Sequence, residues 1–378
     1  MSQRPHILHL HSSFDLGGKE ARAIRLMNAW GDRVRHTIVS GVPNALGARD
    51  AIAAGVPYEI AQDPPPLTGR PSVARYEAIA RYMRRFDLVL TYNWGAIDGV
   101  MARRVFGKGV PPLVHHEDGF NEDEAGGLKA ERNAYRRLAL GAAHALVVPS
   151  RTLEGIALGV WKQPPARVHR IVNGIAVDRY AAKSEPRAIP GFHRKPGEVV
   201  IGSLAGLRAV KDFPMLMRAA GGLSGKFRLV IVGEGPERAN IEQAARAMGI
   251  ADRLHLPGFL AEPNRYIGLF DIFVLSSRSE QFPISVVEAM ASGLPIAAPP
   301  VGDVPTMVSD ANQPVICSHY GEVYLRDALQ KLVNDADLRR TIGAANQAKA
   351  QAEYGEEKMI SAYAGLYAAA MGKPGMGG

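Results

Sequence analysis

The sequence predicts an α/β protein built from two doubly wound, Rossmann-like units that face one another across a cleft. Three observations point there. Short apolar runs alternate with amphipathic stretches, the pattern of parallel strands joined by helices. The alternation stops near residue 181, in a stretch holding Lys183, Pro186, Pro190, Lys195, Pro196 and Gly197 with little apolar content. It restarts at Val199. The boundaries that follow are 1–180 for an N-terminal unit and 181–197 for a linker or hinge. Residues 198–358 make a second unit. Residues 359–378 make a C-terminal helix packing back on the first unit, with a Gly-rich, frayed tail.

In the first unit a buried strand is expected at His6–Leu10, then the loop Ser12–Gly18. A helix from Lys19 to Trp30 carries the apolar stripe Ala21, Ile24, Leu26 and Met27. Further strands fall at Thr37–Ser40, Leu88–Leu90, Pro112–His115 and Ala145–Val148. In the second unit strands are expected at Val199–Gly202, Phe227–Val232, His255–Leu256, Ile272–Leu275 and Pro295–Ala298. Helices lie between them at Asp212–Ala220, Pro236–Met248 and Val286–Ser292. In open α/β sheets ligands bind beyond the carboxyl ends of the strands.

Composition removes several classes. With 47% hydrophobic residues in 378, a sizeable core is available and wholesale disorder is excluded. Cys317 is the only cysteine, so neither a disulfide framework nor a cysteine-built zinc site is available. No run of about 18 apolar residues and no signal-peptide pattern is present, so a cytoplasmic location is expected. The net charge of +8 includes many first-unit arginines, among them Arg81, Arg84, Arg85, Arg103, Arg104, Arg132, Arg136 and Arg137. They make solvated helix faces or a surface for an anionic partner, including a peripheral contact at the inner face of a membrane. Nucleic acid has only the charge in its favour, and no recognition motif accompanies it.

The most informative stretch runs from Ser276 to Pro295. A strand ends at Leu275, a loop carries Glu280, and a helix starts near Pro283 or Ile284. Free N–H groups at a helix start attract anions. Glu280 and Glu288, separated by seven residues, can address two ends of an elongated ligand, each carboxylate accepting from vicinal hydroxyls. Taken alone, two such acids also fit a loop acid and a local salt bridge.

The run from Glu280 to Glu288, with Ala289-Met290-Ala291-Ser292-Gly293-Leu294-Pro295 after it, resembles the retaining glycosyltransferases of the GT-B fold, family 4 type. So do Val230–Pro236 with Gly233, Leu256-Pro257-Gly258-Phe259, Val301-Gly302-Asp303, Gly17-Gly18-Lys19-Glu20 and Val172-Asn173-Gly174-Ile175. The resemblance covers residues 5 to 370 and implies roles. Glu280 would contact the donor sugar, Glu288 the ribose, and amides around Phe282 and Ile284 the diphosphate. Gly17 and Gly18 would let the backbone approach the donor, and Lys211 would stabilise the departing phosphate.

Two positions depart from the family pattern. The family arginine falls on Gly206, so Arg208 is expected to supply that charge. The family histidine slot, before a glycine, is Asp118 in the run from His115 to Glu124; its role passes to His116 or His115, or Asp118 replaces it. A metal in that run is not expected, because successive side chains alternate in direction. Trp94 would either stack on an acceptor sugar or pack in the core. The resemblance thus implies a retaining transferase that needs no metal or other cofactor. It would move sugar from a nucleotide-sugar donor to a glycan or lipid-linked acceptor in surface polysaccharide or glycolipid assembly. The alternatives are a non-catalytic sugar-nucleotide-binding protein and an epimerase or hydrolase of the same fold. Gly233-x-Gly235 also resembles a dinucleotide turn but lacks the third glycine.

Overall fold

The computed structural model describes residues 4–120, 124 and 127–373. The tail from 374, and Asn121, Glu122 and Asp123 of the His115–Glu124 run, lie outside the described residues. The chain forms two compact units, Met1–Asn173 with Glu357–Gly378, and Gly174–Glu356.

The first unit holds β1 (His6–His11), α1 (Gly18–Trp30), β2 (Arg35–Ser40), β3 (Tyr58–Ile60), α2 (Val73–Met83) and β4 (Leu88–Tyr92). It continues with α3 (Ile97–Phe106), β5 (Leu113–His116), α4 (Ala130–Leu140), β6 (Ala145–Val148), α5 (Arg151–Gly159) and β7 (Val168–Arg170). All seven strands are parallel, in the order β3-β2-β1-β4-β5-β6-β7. Parallel strands covered on both faces read as continuous apolar runs, which is why β4 and β6 stand out in the sequence. The three-residue edge strands β3 and β7 carry no such signal. Helix starts follow side-chain chemistry: Ser72 accepts from the Arg75 N–H at the head of α2, and Ser150 from Leu153 at the head of α5.

The second unit opens with α6 (Val177–Ala181) and continues through β8 (Val199–Leu204), α7 (Phe213–Gly221), β9 (Phe227–Val232), α8 (Arg238–Ala247), β10 (Leu254–Gly258) and β11 (Ile272–Val274). Next come α9 (Ile284–Ala291), β12 (Ile296–Ala297), α10 (Val304–Met307), α11 (Glu322–Asn334) and α12 (Ala336–Glu353). Its parallel sheet runs β10-β9-β8-β11-β12. The chain then enters α13 (Glu356–Met371), which packs Met359, Tyr363 and Tyr367 into a first-unit cluster with Trp30 and Leu90.

The segment 181–197, expected as the linker, lies inside the second unit. Ile189 and Phe192 are buried there, the Glu185 N–H donates to the Arg265 carbonyl at 2.8 Å, and the His255 ring donates to the Pro190 carbonyl. Two apolar anchors in a polar, proline-rich stretch are enough to pin it. The chain passes between units at 173/174 and 356/357, where Ile175 and Gly355 bridge in parallel. A Cβ at Gly174 would lie 2.8 Å from the Gly355 carbonyl oxygen, so the glycine of Asn173-Gly174-Ile175 permits that close pass.

Candidate active site

Each sheet has one switch point, where the chain winds away in opposite directions from adjacent strands and leaves a crevice at their carboxyl ends. In the second unit it lies between β8 and β11. The loop after β8 carries Arg208 and Lys211, and the loop after β11 carries Ser277 and Glu280. Topology alone therefore brings the two expected charges together. Lys211 Nζ donates to Glu280 Oε1 at 2.5 Å, and Ser277 Oγ donates to the same oxygen at 2.6 Å. Neither charge is fully buried, so the pair remains open to a ligand.

The two loops are tied by their backbones. Ser276 Oγ donates to the Lys211 carbonyl at 2.8 Å, and the Arg278 N–H donates to the Val210 carbonyl at 2.8 Å. Asp212 sits between Lys211 and α7 in the left-handed region, at φ 43° and ψ 49°. An Asp tolerates that conformation better than most residues, but it still has to be held. Its carboxylate accepts from the Met215 N–H, capping α7, and also from Arg278 Nε and the Tyr320 hydroxyl. Burial raises the Asp212 pKa, but the Tyr320 and Arg278 bonds outweigh it and keep the carboxyl below its ordinary range. Asp212 thus fixes the turn that aims Lys211. Tyr320, Arg278 and Ser277 escaped the sequence reading. An acid directly before Phe213-Pro214 is a helix-start signal and marks Asp212 as a cap.

Glu288 is buried on α9, where Oε1 accepts from the Tyr180 hydroxyl at 2.7 Å. The N-cap of α9 is Pro283, with no side-chain cap, so the Ile284 and Ser285 N–H groups stand at an uncapped helix start. Phe282 is buried edge-on against Tyr354, at 5.6 Å between centroids, which sets the entry of the chain into α9. Gly302, at φ 53°, lets its loop close over this turn: a Cβ there would lie 2.3 Å from the Glu280 carbonyl oxygen. Gly233, at φ 150°, does the same for the loop after β9, where a Cβ would lie 1.9 Å from the Ala205 carbonyl oxygen. The structure thus gives Gly233 a packing role against the β8 loop. Arg208 is exposed, and its guanidinium folds over Gly206: Nε lies 3.4 Å from where a Gly206 Cβ would be. The missing arginine and its expected replacement therefore share one place.

The first unit's switch point lies between β1 and β4. The loops that follow them touch so closely that a Cβ on Gly95 would lie 2.2 Å from Ser12 Cβ. Gly17 and Gly18 form the start of α1. Behind them Lys19 pairs with Glu20 and also donates to the Ser13 carbonyl. Asp118 does not stand free in the family histidine slot. It forms a two-pronged pair with the buried Arg22, whose Nη1 also donates to Asn173 at 3.2 Å. Burial pulls the Arg22 pKa down, but the Asp118 charge outweighs it and leaves the guanidinium well above its ordinary value.

His116, expected near the donor sugar, is instead a core residue. It is 1% exposed, its Nδ1 donates to the Thr91 carbonyl at 3.1 Å, and its Nε2 accepts from Tyr367 of α13 at 2.7 Å. Burial, with the Arg22 charge added, drives its pKa well below the ordinary value, so it is neutral. His115 is equally buried against Thr91 Oγ1. Trp94 packs edge-on against Tyr135, with the Arg132 and Arg136 guanidinium groups 5.0 Å from its ring. Among the described residues no His, Cys, Asp and Glu group of three or more is placed to hold a metal ion, and no helix is long and apolar enough to cross a membrane.

Two parallel-sheet units with an acid–lysine pair at a switch point define a class, and the comparisons with known proteins identify it. The family described as Glycosyltransferase Family 4 matches residues 16–179, and the family described as Glycosyl transferases group 1 matches residues 186–349. The chain belongs to the GT-B glycosyltransferases of family 4. It is 27% identical over 249 residues to an alpha-D-kanosaminyltransferase of Streptomyces kanamyceticus, covering 63% of this chain and 62% of that one. It is 34% identical over 169 residues to a GDP-mannose-dependent alpha-mannosyltransferase of Mycobacterium tuberculosis, covering 44% and 42%. The matches thus span roughly half the length of these relatives. The fold is that of Alr3699/HepE from Anabaena, solved in complex with UDP, with a TM-score of 0.78 at 19% identity over 96% of this chain and 100% of that one.

Proposed function

We propose that the protein is a retaining glycosyltransferase that moves a sugar from a nucleotide-sugar donor to a glycan or lipid-linked acceptor. The observation that carries this is the Lys211–Glu280 pair at the second unit's switch point, followed by Glu288 on the uncapped helix α9. Glu288 receives the ribose hydroxyls. The Ile284 and Ser285 N–H groups receive the diphosphate. Glu280 takes the donor sugar hydroxyls. The bond between the anomeric carbon and the phosphate oxygen breaks. The acceptor oxygen attacks from the same face, and its proton passes to the leaving phosphate. Lys211 and Arg208 meet the charge that grows on that phosphate, so no metal is assigned a step. The UDP bound by the Anabaena neighbour and the GDP-mannose named for the mycobacterial relative support the donor class. Peripheral contact with an anionic membrane is part of the proposal. It rests on the exposed Arg104 and Arg137, which line one groove with the exposed apolar residues Leu138 and Val160.

Nucleotide binding tests this directly. UDP, GDP and ADP are added in turn, without and then with Mg²⁺, while the melting temperature is followed. One base should raise it without Mg²⁺, and Glu288→Ala should abolish the rise. No rise with any nucleotide on folded protein would reject the donor site. Transfer of labelled sugar to a glycan or lipid extract then separates a transferase from a protein that only binds.

A further inference from the structure

A cavity of about 390 Å³ opens beyond the carboxyl ends of β2 and β3 in the first unit, apart from the residues assigned above. Its size is that of a small-ligand pocket. Its back wall is apolar, with Val39, Leu46, Ile60 and Leu67. Its rim is the run Asp63-Pro64-Pro65-Pro66. The loop on its other side is bound to the glycine-turn loop: the Phe14 N–H donates to the Ala45 carbonyl at 2.9 Å, and the Gly47 N–H donates to Asp15 at 3.1 Å. The cavity therefore sits beside the turn that carries Gly17 and Gly18.

The donors and acceptors of its lining set what the cavity favours. Four of its twelve lining residues are proline and have no N–H. The Gly41 and Ala61 N–H groups are spent on the His11 and Ile38 carbonyls. The Ser40 hydroxyl donates to the Val42 carbonyl. No Lys, Arg or His lines the cavity, and Arg75, which donates to the Leu67 carbonyl, is committed to Asp98 at 2.7 Å. Asp63 is exposed, and among the described residues no cation pairs with it. The cavity thus offers a carboxylate and an apolar floor, and few donors. An anion there would meet like charge and find little to bond with. An ammonium group would meet an unpaired carboxylate.

We infer that this cavity is the acceptor subsite and that it takes a hydroxylated ring bearing an amine, an amino sugar or aminocyclitol. The inference rests on the glycosyl-transfer reading for its purpose and on the cavity alone for its ligand. It runs against the protein's net charge of +8, which by itself favours an anionic acceptor.

The test is a saturation-transfer NMR titration at pH 6.5 with glucosamine, glucose and glucuronate. Glucosamine should bind about tenfold more tightly than glucose, with glucuronate weakest. Asp63→Asn should remove the preference for the amine while keeping the fold, because Asn also tolerates the left-handed backbone that Asp63 adopts at φ 46°. Glucuronate binding as well as glucosamine, a preference that survives Asp63→Asn, or no binding by any of the three would overturn the inference. The nucleotide melting series is run on the same preparation. A nucleotide shift without an amine preference sinks the subsite alone; an amine preference without any nucleotide shift sinks the donor site alone.

Discussion

The two switch points are built on one plan and finished in opposite ways. In the second unit the facing loops present Lys211 and Glu280 at a partly open surface, held by hydrogen bonds from behind. In the first unit a buried arginine takes the place of the lysine: Arg22 pairs with Asp118, and His116 and Tyr367 lock a helix against the sheet. The same topology thus yields a lysine–carboxylate pair bridged by a serine hydroxyl in one unit, and in the other an arginine–aspartate pair whose Arg22 Nε stays buried without a partner among the described residues.

Removing one partner from each kind of pair exposes the difference most strongly. Arg22→Met removes a buried guanidinium from the part-buried Asp118, where breaking the pair should cost on the order of 3 kcal/mol, the low end for buried ion pairs. In the second unit, Arg278→Ala removes an arginine whose side chain is 62% exposed, and the buried Asp212 keeps the Tyr320 hydroxyl and the Met215 N–H as donors, so the loss should be about 0–1 kcal/mol. Denaturant unfolding of both variants should show a large fall for the first and a small one for the second. Equal losses would mean that the first crevice is no more structural than the second.

Activity should show the reverse order. Lys211→Ala removes one charge-stabilising group and should lower transfer by on the order of 10². It should hardly move the unfolding midpoint, because Lys211 is not part of the core. A variant with normal turnover would take the chemistry away from this loop.

The contrast also explains what could be read in advance. The second unit's charged residues could be picked out because they lie in short runs, with Lys211 one loop after β8 and seven residues between Glu280 and Glu288 around one helix start. Where the sequence misled, a partner came from far away. His116 has Tyr367 as its partner, 251 positions along the chain, and no local pattern announces that bond. Asp118 finds Arg22 from 96 positions away. The linker was misplaced because composition reports polarity but does not show that Ile189 and Phe192 are buried. The Lys211 turn depends on Tyr320, 108 positions from Asp212, so its cap was legible and its clamp was not.

Acid should separate the two units, with a smaller effect from each group. His9, His11, His36 and His116 all lie in the first unit, and burial lowers the pKa of each. For His36 the value falls from 6.5 to about 3, with the neighbouring His6 adding to the burial. A histidine whose folded pKa is depressed binds its proton more readily in the unfolded chain. Stability is therefore full above about pH 6.5 and is lost as pH falls towards 3. Between pH 7 and 5.5, His36 alone should cost on the order of 1 kcal/mol. Glu20 acts in the opposite sense, because burial raises its pKa, so it favours the folded form as pH falls through its own range. His6 and His169 of the same unit are also lowered by burial, so six histidines against one carboxyl leave a net loss on acidification. Hydrogen exchange at pH 7 and 5.5, corrected for the intrinsic pH dependence of exchange, should show protection falling first in β1, β2 and β5 while β8 and β9 hold. Uniform loss across both sheets, or earlier loss in the second unit, would show that the buried imidazoles of the first unit do not set its acid limit.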